Sequence, residues 1–315
     1  MSACVKPQLR WQTEPTTPQE RKKGLRGQVV KPVYVRCEDC VGCKLHEADQ
    51  WALRLQHELT TCAGPSAFIS LTLDDEHLIY KPSANAPTVD KMQARHFIQR
   101  LRDHLKYPKT KYLICGEYGP QTFRPHYHCC FFVNDSSYTI DRLNELINKA
   151  WKLGIVTIDS IIPERMEYCV KYIVDIPKEL KKAFIKSHRE PPFKLQSNGL
   201  GAEYAYKYVQ AGTGKYRAFN FNGRKVGIPR YYRKILNIGY KSLHGMNDLE
   251  EYELKKLQNH RNFDGLSDFE KEQLNYAKTS CMMDYIVLAK HKLGIFKHQE
   301  ETLKSKCNLK KKEIL

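Results

Sequence analysis

Two spacings of apolar residues alternate along most of the chain. Leu45, Ala48, Ala52, Leu55 and Leu59 recur at three- to four-residue steps, as do Phe97, Ile98, Leu101 and Leu105, and then Ile140, Leu143, Leu146, Ile147 and Ala150. Such steps line one face of a helix, so they predict helices over 45–60, 90–106 and 139–151. Trp51 and His57 in the first of these read as packing and surface residues, not as ligands. Between the helical stretches lie short runs with strand character: 68–73, where apolar and small polar residues alternate, then 111–115, 126–133 and 155–159. Gly116-Glu117-Tyr118-Gly119-Pro120 reads as a turn by its glycines and proline. A further helix is expected after Pro163. From about 175 to 200 the chain reads as a basic loop around Pro191-Pro192. Glycines and basic residues interleave between 212 and 234, which predicts either a basic, aromatic-lined hairpin or a glycine-rich connection. Helical periodicity returns beyond 247, where Ser267-Asp268-Phe269-Glu270 has the form of a capping box.

The strand over 126–133 holds the first candidate chemistry. Side chains alternate along a strand, so His126 and His128 share one face while Tyr127 and Cys129 take the other. Two imidazoles on one rigid face are a common way to hold a divalent metal. Glu117, if its strand pairs with this one, adds a carboxylate and leaves coordination positions open for water and phosphate oxygens.

Charge narrows the class of partner. The chain has 52 Lys and Arg against 35 Asp and Glu, a net +17, which points to a polyanion and first to nucleic acid. Nineteen tyrosines and 12 phenylalanines offer flat faces for unpaired bases. No apolar run approaches the ~20 residues that cross a bilayer, and the N-terminus carries no signal-peptide core, so no membrane partner is expected. The 11 cysteines then read as reduced cytosolic thiols or metal ligands. Cys37, Cys40 and Cys43, with His46 three residues on, have the spacing of a structural Zn²⁺ site. The alternative is three reduced thiols at a turn before a helix.

The order of motifs resembles a known family. A strand leads into Gly116-Glu117-Tyr118-Gly119, then Arg124-Pro125-His126-Tyr127-His128, then Tyr168-x-x-Lys171-Tyr172. This pattern resembles the HUH endonucleases, and among them the rolling-circle replication initiators of microviruses, especially the gokushovirus branch. The cysteines running into Trp51, the Trp151-x-x-Gly154 step and Pro229-Arg230-Tyr231-Tyr232 resemble the same group. The likeness covers about 30–235.

The resemblance implies an α+β fold, with a central antiparallel sheet, the histidines on a middle strand and a tyrosine-bearing helix across them. It implies Mg²⁺ or Mn²⁺ on His126, His128 and Glu117, and Tyr168 and Tyr172 as alternating nucleophiles assisted by Lys171. The activity implied is nicking and rejoining of single-stranded or replicative-form viral origin DNA in the host bacterial cytoplasm, with host helicase and polymerase as partners. Where the pattern expects a lysine three residues after Tyr172, this chain has Asp175. The domain division expected is a flexible basic arm over 1–30, a nuclease domain over 31–235 and a helical region over 236–315. Two further readings stand beside it: a non-enzymatic zinc-containing nucleic-acid-binding protein, and a transposase or relaxase of the same superfamily.

Overall fold

Strand β5 (Pro125–Val133) is the middle strand of a five-stranded sheet, and its alternation sets the two faces of the fold. Its neighbours are β3 (Ser66–Thr72) and β4 (Thr110–Tyr118). Outside them lie β6 (Val156–Asp159) against β3 and β7 (Phe193–Gln196) against β4. Every pairing is antiparallel. The computed structural model describes residues 8–13, 29–38, 40–106, 108–119, 121–174, 178–209 and 218–237, with isolated positions after 264. Residues 47–242, which hold the sheet, form one compact unit. A second groups 2–46 with 243–315.

Helices cover both faces of the sheet. Tyr127, Cys129, Phe131 and Val133 pack with Ala94, Phe97, Ile98 and Leu101 of α2 (Lys91–His104) and with Leu143, Leu146 and Ile147 of α3 (Ile140–Ala150). On the other face Cys130 and Phe132 meet Ala52, Leu53 and Leu55 of α1 (Val41–Thr61) and Met166, Cys169 and Val170 of α4 (Pro163–Val174). Burial on both sides explains why β5 is almost wholly apolar where a half-exposed strand would alternate. Asp90 and Thr139 cap α2 and α3, accepting from Met92 N–H at 2.8 Å and Arg142 N–H at 3.2 Å.

An α+β arrangement with a central antiparallel sheet is thus present as expected. Some local expectations need correction. Gly116, Glu117 and Tyr118 continue β4 and do not turn; the chain reverses only between Gly119 and Arg124, where Gly119 N–H meets Arg124 C=O at 3.0 Å. Gly116 is there for space: a Cβ would lie 2.7 Å from the Phe193 ring. The stretch 175–200 holds α5 (Lys178–Lys186) and β7, anchored by Phe184 and Phe193, both 7% exposed. His57 is not a surface residue. It is 4% exposed, stacked on Tyr204 and hydrogen-bonded to Tyr232 Oη at 3.0 Å.

A hairpin joins β8 (Ala218–Phe221) to β9 (Arg224–Gly227) through Asn222-Gly223, both in the left-handed region that such two-residue turns need. The short helix α6 (Arg230–Ile235) follows Pro229. Residues 210–217 of the expected basic hairpin lie outside the described residues. Within the expected N-terminal arm, β1 (Gln8–Thr13) pairs with β2 (Val29–Val35). The expected C-terminal helical region lies mostly outside the described residues; at Ser267 a helical turn starts, its C=O accepting from Lys271 N–H at 2.9 Å. Among the described residues no helix is long and apolar enough to cross a membrane.

Candidate active site

Sheet register places polar residues in two rows across β3, β5 and β4. One row is Thr72–His126–Glu117 and the next is Ser70–His128–Cys115. Residues directly opposite in an antiparallel pair hold their side chains on the same face. Glu117 therefore stands beside His126 by backbone pairing, in a fixed position that a turn residue would not have.

The three side chains converge. Glu117 Oε1 accepts from His126 Nε2 at 2.9 Å and lies 3.1 Å from His128 Nε2. One ligand atom from each of the three falls within 4.8 Å of the others. Helix α4 delivers a fourth group to this point: the Tyr168 hydroxyl donates to the same carboxylate oxygen at 3.0 Å, and its ring meets that of His128 edge-on with centroids 4.8 Å apart.

The far nitrogen of each imidazole is also occupied. His126 Nδ1 donates to the Arg124 carbonyl at 3.1 Å, and His128 Nδ1 pairs with Ser70 Oγ at 2.9 Å. Ligating histidines are commonly held this way, since the bond at one nitrogen fixes the ring and turns the other toward the metal. Arg124 is itself anchored, through Asp75 at 2.7 Å and the Leu73 carbonyl at 3.1 Å. Phe68 stacks against the His128 ring.

Electrostatics follow from this burial. Glu117 is 2% exposed. Burial works to raise its pKa, but hydrogen bonds from His126 and His128 outweigh that and hold the carboxyl below the ordinary carboxylate range. Burial likewise works against charge on His126, and the Glu117 hydrogen bond and charge overcome it, leaving His126 raised. A carbonyl can only accept, so His126 Nδ1 carries a hydrogen. Donation from Nε2 to the carboxylate makes the ring an imidazolium.

The donor set is incomplete without a cation. Glu117 Oε2 is buried without a hydrogen-bond partner, and His128 Nε2, although close to Oε1, lies off the hydrogen-bonding direction. Buried carboxylate oxygens are rarely left so. Two imidazole nitrogens and one carboxylate on one rigid face suit a divalent ion with open coordination positions.

Of the residues singled out from sequence, the structure brings together Glu117, His126, His128 and Tyr168. Lys171 and Tyr172 continue helix α4, with Tyr172 one turn after Tyr168. Their side chains lie outside the described residues, as does Asp175. Cys37, Cys40 and Cys43 form a separate cluster, and His46 is not among its mutually close ligand atoms. Ser70 was not singled out. The signal for it was the alternation of 68–73, which puts a small polar residue on one face of a strand next to the histidines.

Residues 66–177 match the model of a family of replication-associated proteins typified by ORF2, a span that holds Ser70, Glu117, both histidines and Tyr168. The chain is 32% identical over 184 residues to replication-associated protein ORF2 of Spiroplasma virus 4, covering 54% of this chain and 56% of that protein. It is 26% identical over 220 residues to replication-associated protein VP4 of Bdellovibrio phage phiMH2K, covering 62% and 65%. The matches thus span between half and two thirds of these relatives. No solved structure matches significantly. The resemblance to microvirus-type replication-associated proteins is shown by both comparisons.

Proposed function

We propose that this chain initiates replication of a small viral genome by nicking single-stranded origin DNA with a tyrosine and later rejoining the ends. The observation that carries the reading is the contact between the Tyr168 hydroxyl and Glu117, the same carboxylate that meets both histidines. A phenol sits against a hard-cation donor set, which is the juxtaposition that tyrosine attack on a phosphodiester requires.

Each residue has a role in this reading. His126, His128 and Glu117 hold Mg²⁺ or Mn²⁺, and an ion there supplies positive charge to the phosphate oxygens as negative charge grows on them. Arg124 C=O and Ser70 Oγ keep both Nε2 atoms turned inward. Tyr168 Oη attacks phosphorus and the bond to the 3′ oxygen breaks, leaving a 5′-phosphotyrosine and a free 3′-OH. An ordinary phenol, with a pKa near 10, is a weak nucleophile, and Lys171 is assigned to favour its ionised form. Tyr172, one turn along α4, takes the alternate cleavage that lets the circle be resealed.

The free 3′-OH makes host polymerase and helicase the expected partners, in the cytoplasm of a bacterial host. Net charge of +17 suits a nucleic-acid substrate. The test is incubation of the purified chain and Mn²⁺ with single strands tiled across the replicon that encodes it. The expected product is a protein–DNA adduct that survives denaturation. Cleavage by Y168F/Y172F at the wild-type rate overturns the reading.

A further inference from the structure

The cysteines at the start of α1 play no part in the site above. Cys37, Cys40 and Cys43 bring their sulfur atoms within 4.8 Å of one another, and all three are unbridged. Cys40 and Cys43 are each 6% exposed. Their backbone is shaped around the sulfurs. Glu38 takes a left-handed conformation at φ 60°, and the chain then folds back so that Cys40 N–H donates to Cys37 Sγ at 3.3 Å. Cys43 N–H and Lys44 N–H close on Cys40 C=O at 2.9 and 3.0 Å as the helix begins. The Arg36 guanidinium lies 4.0 Å from Cys43 Sγ. A backbone N–H and a guanidinium aimed at sulfur favour thiolate over thiol.

The separation of the sulfurs is informative. Two thiolates on a tetrahedral zinc, with Zn–S near 2.3 Å, stand about 3.8 Å apart. Cys37 Sγ and Cys43 Sγ are 3.9 Å apart. Cys115 and Cys169 come as close, 3.8 Å, but among the described residues they belong to no cluster of three ligand atoms.

We propose that Cys37, Cys40 and Cys43 form a Zn²⁺ site, separate from the hard-cation site on the sheet. Three thiolates select a soft or borderline ion, whereas two imidazoles and a carboxylate accept a hard one. The zinc fixes the turn before α1 to the first turn of that helix. It is a structural ion, with no part in phosphate chemistry.

The test uses the full chain, purified without chelator. Elemental analysis is expected to find one zinc per chain that survives dialysis against EDTA sufficient to strip added Mn²⁺. Cobalt exchanged into the site is expected to give thiolate-to-metal charge-transfer absorption with tetrahedral visible bands. C40S/C43S is expected to lose the zinc and that absorption, while H126A/H128A keeps both. Should C40S/C43S fail to fold, titration of the wild-type thiols with a mercurial, read with a zinc-sensitive dye, is expected to release one zinc per chain. Absence of zinc, iron in its place, or a cobalt spectrum without thiolate absorption overturns the proposal. So does loss of zinc from H126A/H128A, which would place the ion on the sheet. Because these readouts are metal content and spectra, failure here leaves the nicking assay unaffected.

Discussion

The two donor clusters are built by opposite means. At the sheet site Glu117, His126 and His128 come from two strands, and register alone makes Glu117 the cross-strand neighbour of His126. At the thiol cluster three donors follow one another at three-residue steps through a single turn into a helix. The first arrangement depends on the whole sheet being folded, and the second on a few residues of local backbone. Their chemistry differs in the same way: nitrogen and carboxylate oxygen on one side, sulfur on the other. A rigid strand face leaves coordination positions open toward Tyr168, whereas a turn wrapped around sulfur suits a closed structural ion.

The sharpest way to break this contrast is to remove the imidazoles. H126A/H128A is expected to lower the rate of DNA cleavage by roughly 10³-fold or more, the loss of several kcal/mol of charge stabilisation. Quench-flow cleavage assays at saturating Mn²⁺ measure it. Survival of most of the activity would mean that the sheet cluster is not where phosphate reacts.

S70A tests whether the sheet site depends on its supporting contacts. Ser70 touches His128 Nδ1, on the side away from Glu117. Its loss is expected to weaken Mn²⁺ binding by about 10- to 100-fold, measured by calorimetry, with the fold intact by circular dichroism. An unchanged affinity would show that the sheet alone orients the ring.

Acid separates the site from the fold. The raised pKa of His126 means that its proton competes with a cation at that nitrogen, so Mn²⁺ affinity should fall as pH drops through that value and level off above it. The buried His57 acts on stability and has the opposite shift. Burial lowers its folded pKa from 6.5 to about 3, so below pH 6.5 the unfolded chain takes up a proton that the native one refuses. Stability is therefore lost as pH falls from about 6.5 toward 3, by about 2 kcal/mol near pH 5. Urea unfolding of the wild type and H57Q measures this, and H57Q should show the smaller acid loss. The smallest effect is expected from C40S/C43S on Mn²⁺ binding at the sheet, a change of about twofold or less, as for independent sites.

Much of this was legible in the sequence. The helices over 90–106 and 139–151 appear as α2 and α3 because their apolar stripes meet one sheet face. His126 and His128 were visible as a pair because strand alternation is local. What stayed hidden depended on distant contacts. Gly116 looked like a turn residue, but it is small to make room for the Phe193 ring, 77 positions later. Lysines in α5 diluted the apolar signal of Phe184, and Phe193 seemed part of a proline-marked loop. His57 falls off the apolar stripe of α1, yet Tyr204, Phe219 and Tyr232 cover it from elsewhere in the chain. Ser70 acquires a role only once β3 is in register with β5. Tyr168 was readable as a candidate from its partner Tyr172 and the family likeness, but its contact with Glu117 requires α4 to cross the sheet.

The central claim is that Tyr168, held against Glu117, attacks DNA phosphate. Its most direct measurement is mass spectrometry of the protein–DNA adduct after cleavage with Mn²⁺, nuclease trimming and proteolysis. The account predicts a nucleotide-bearing peptide containing Tyr168, with the modification on that residue or shared with Tyr172. An adduct on any other residue, or cleavage that leaves no adduct at all, would contradict it.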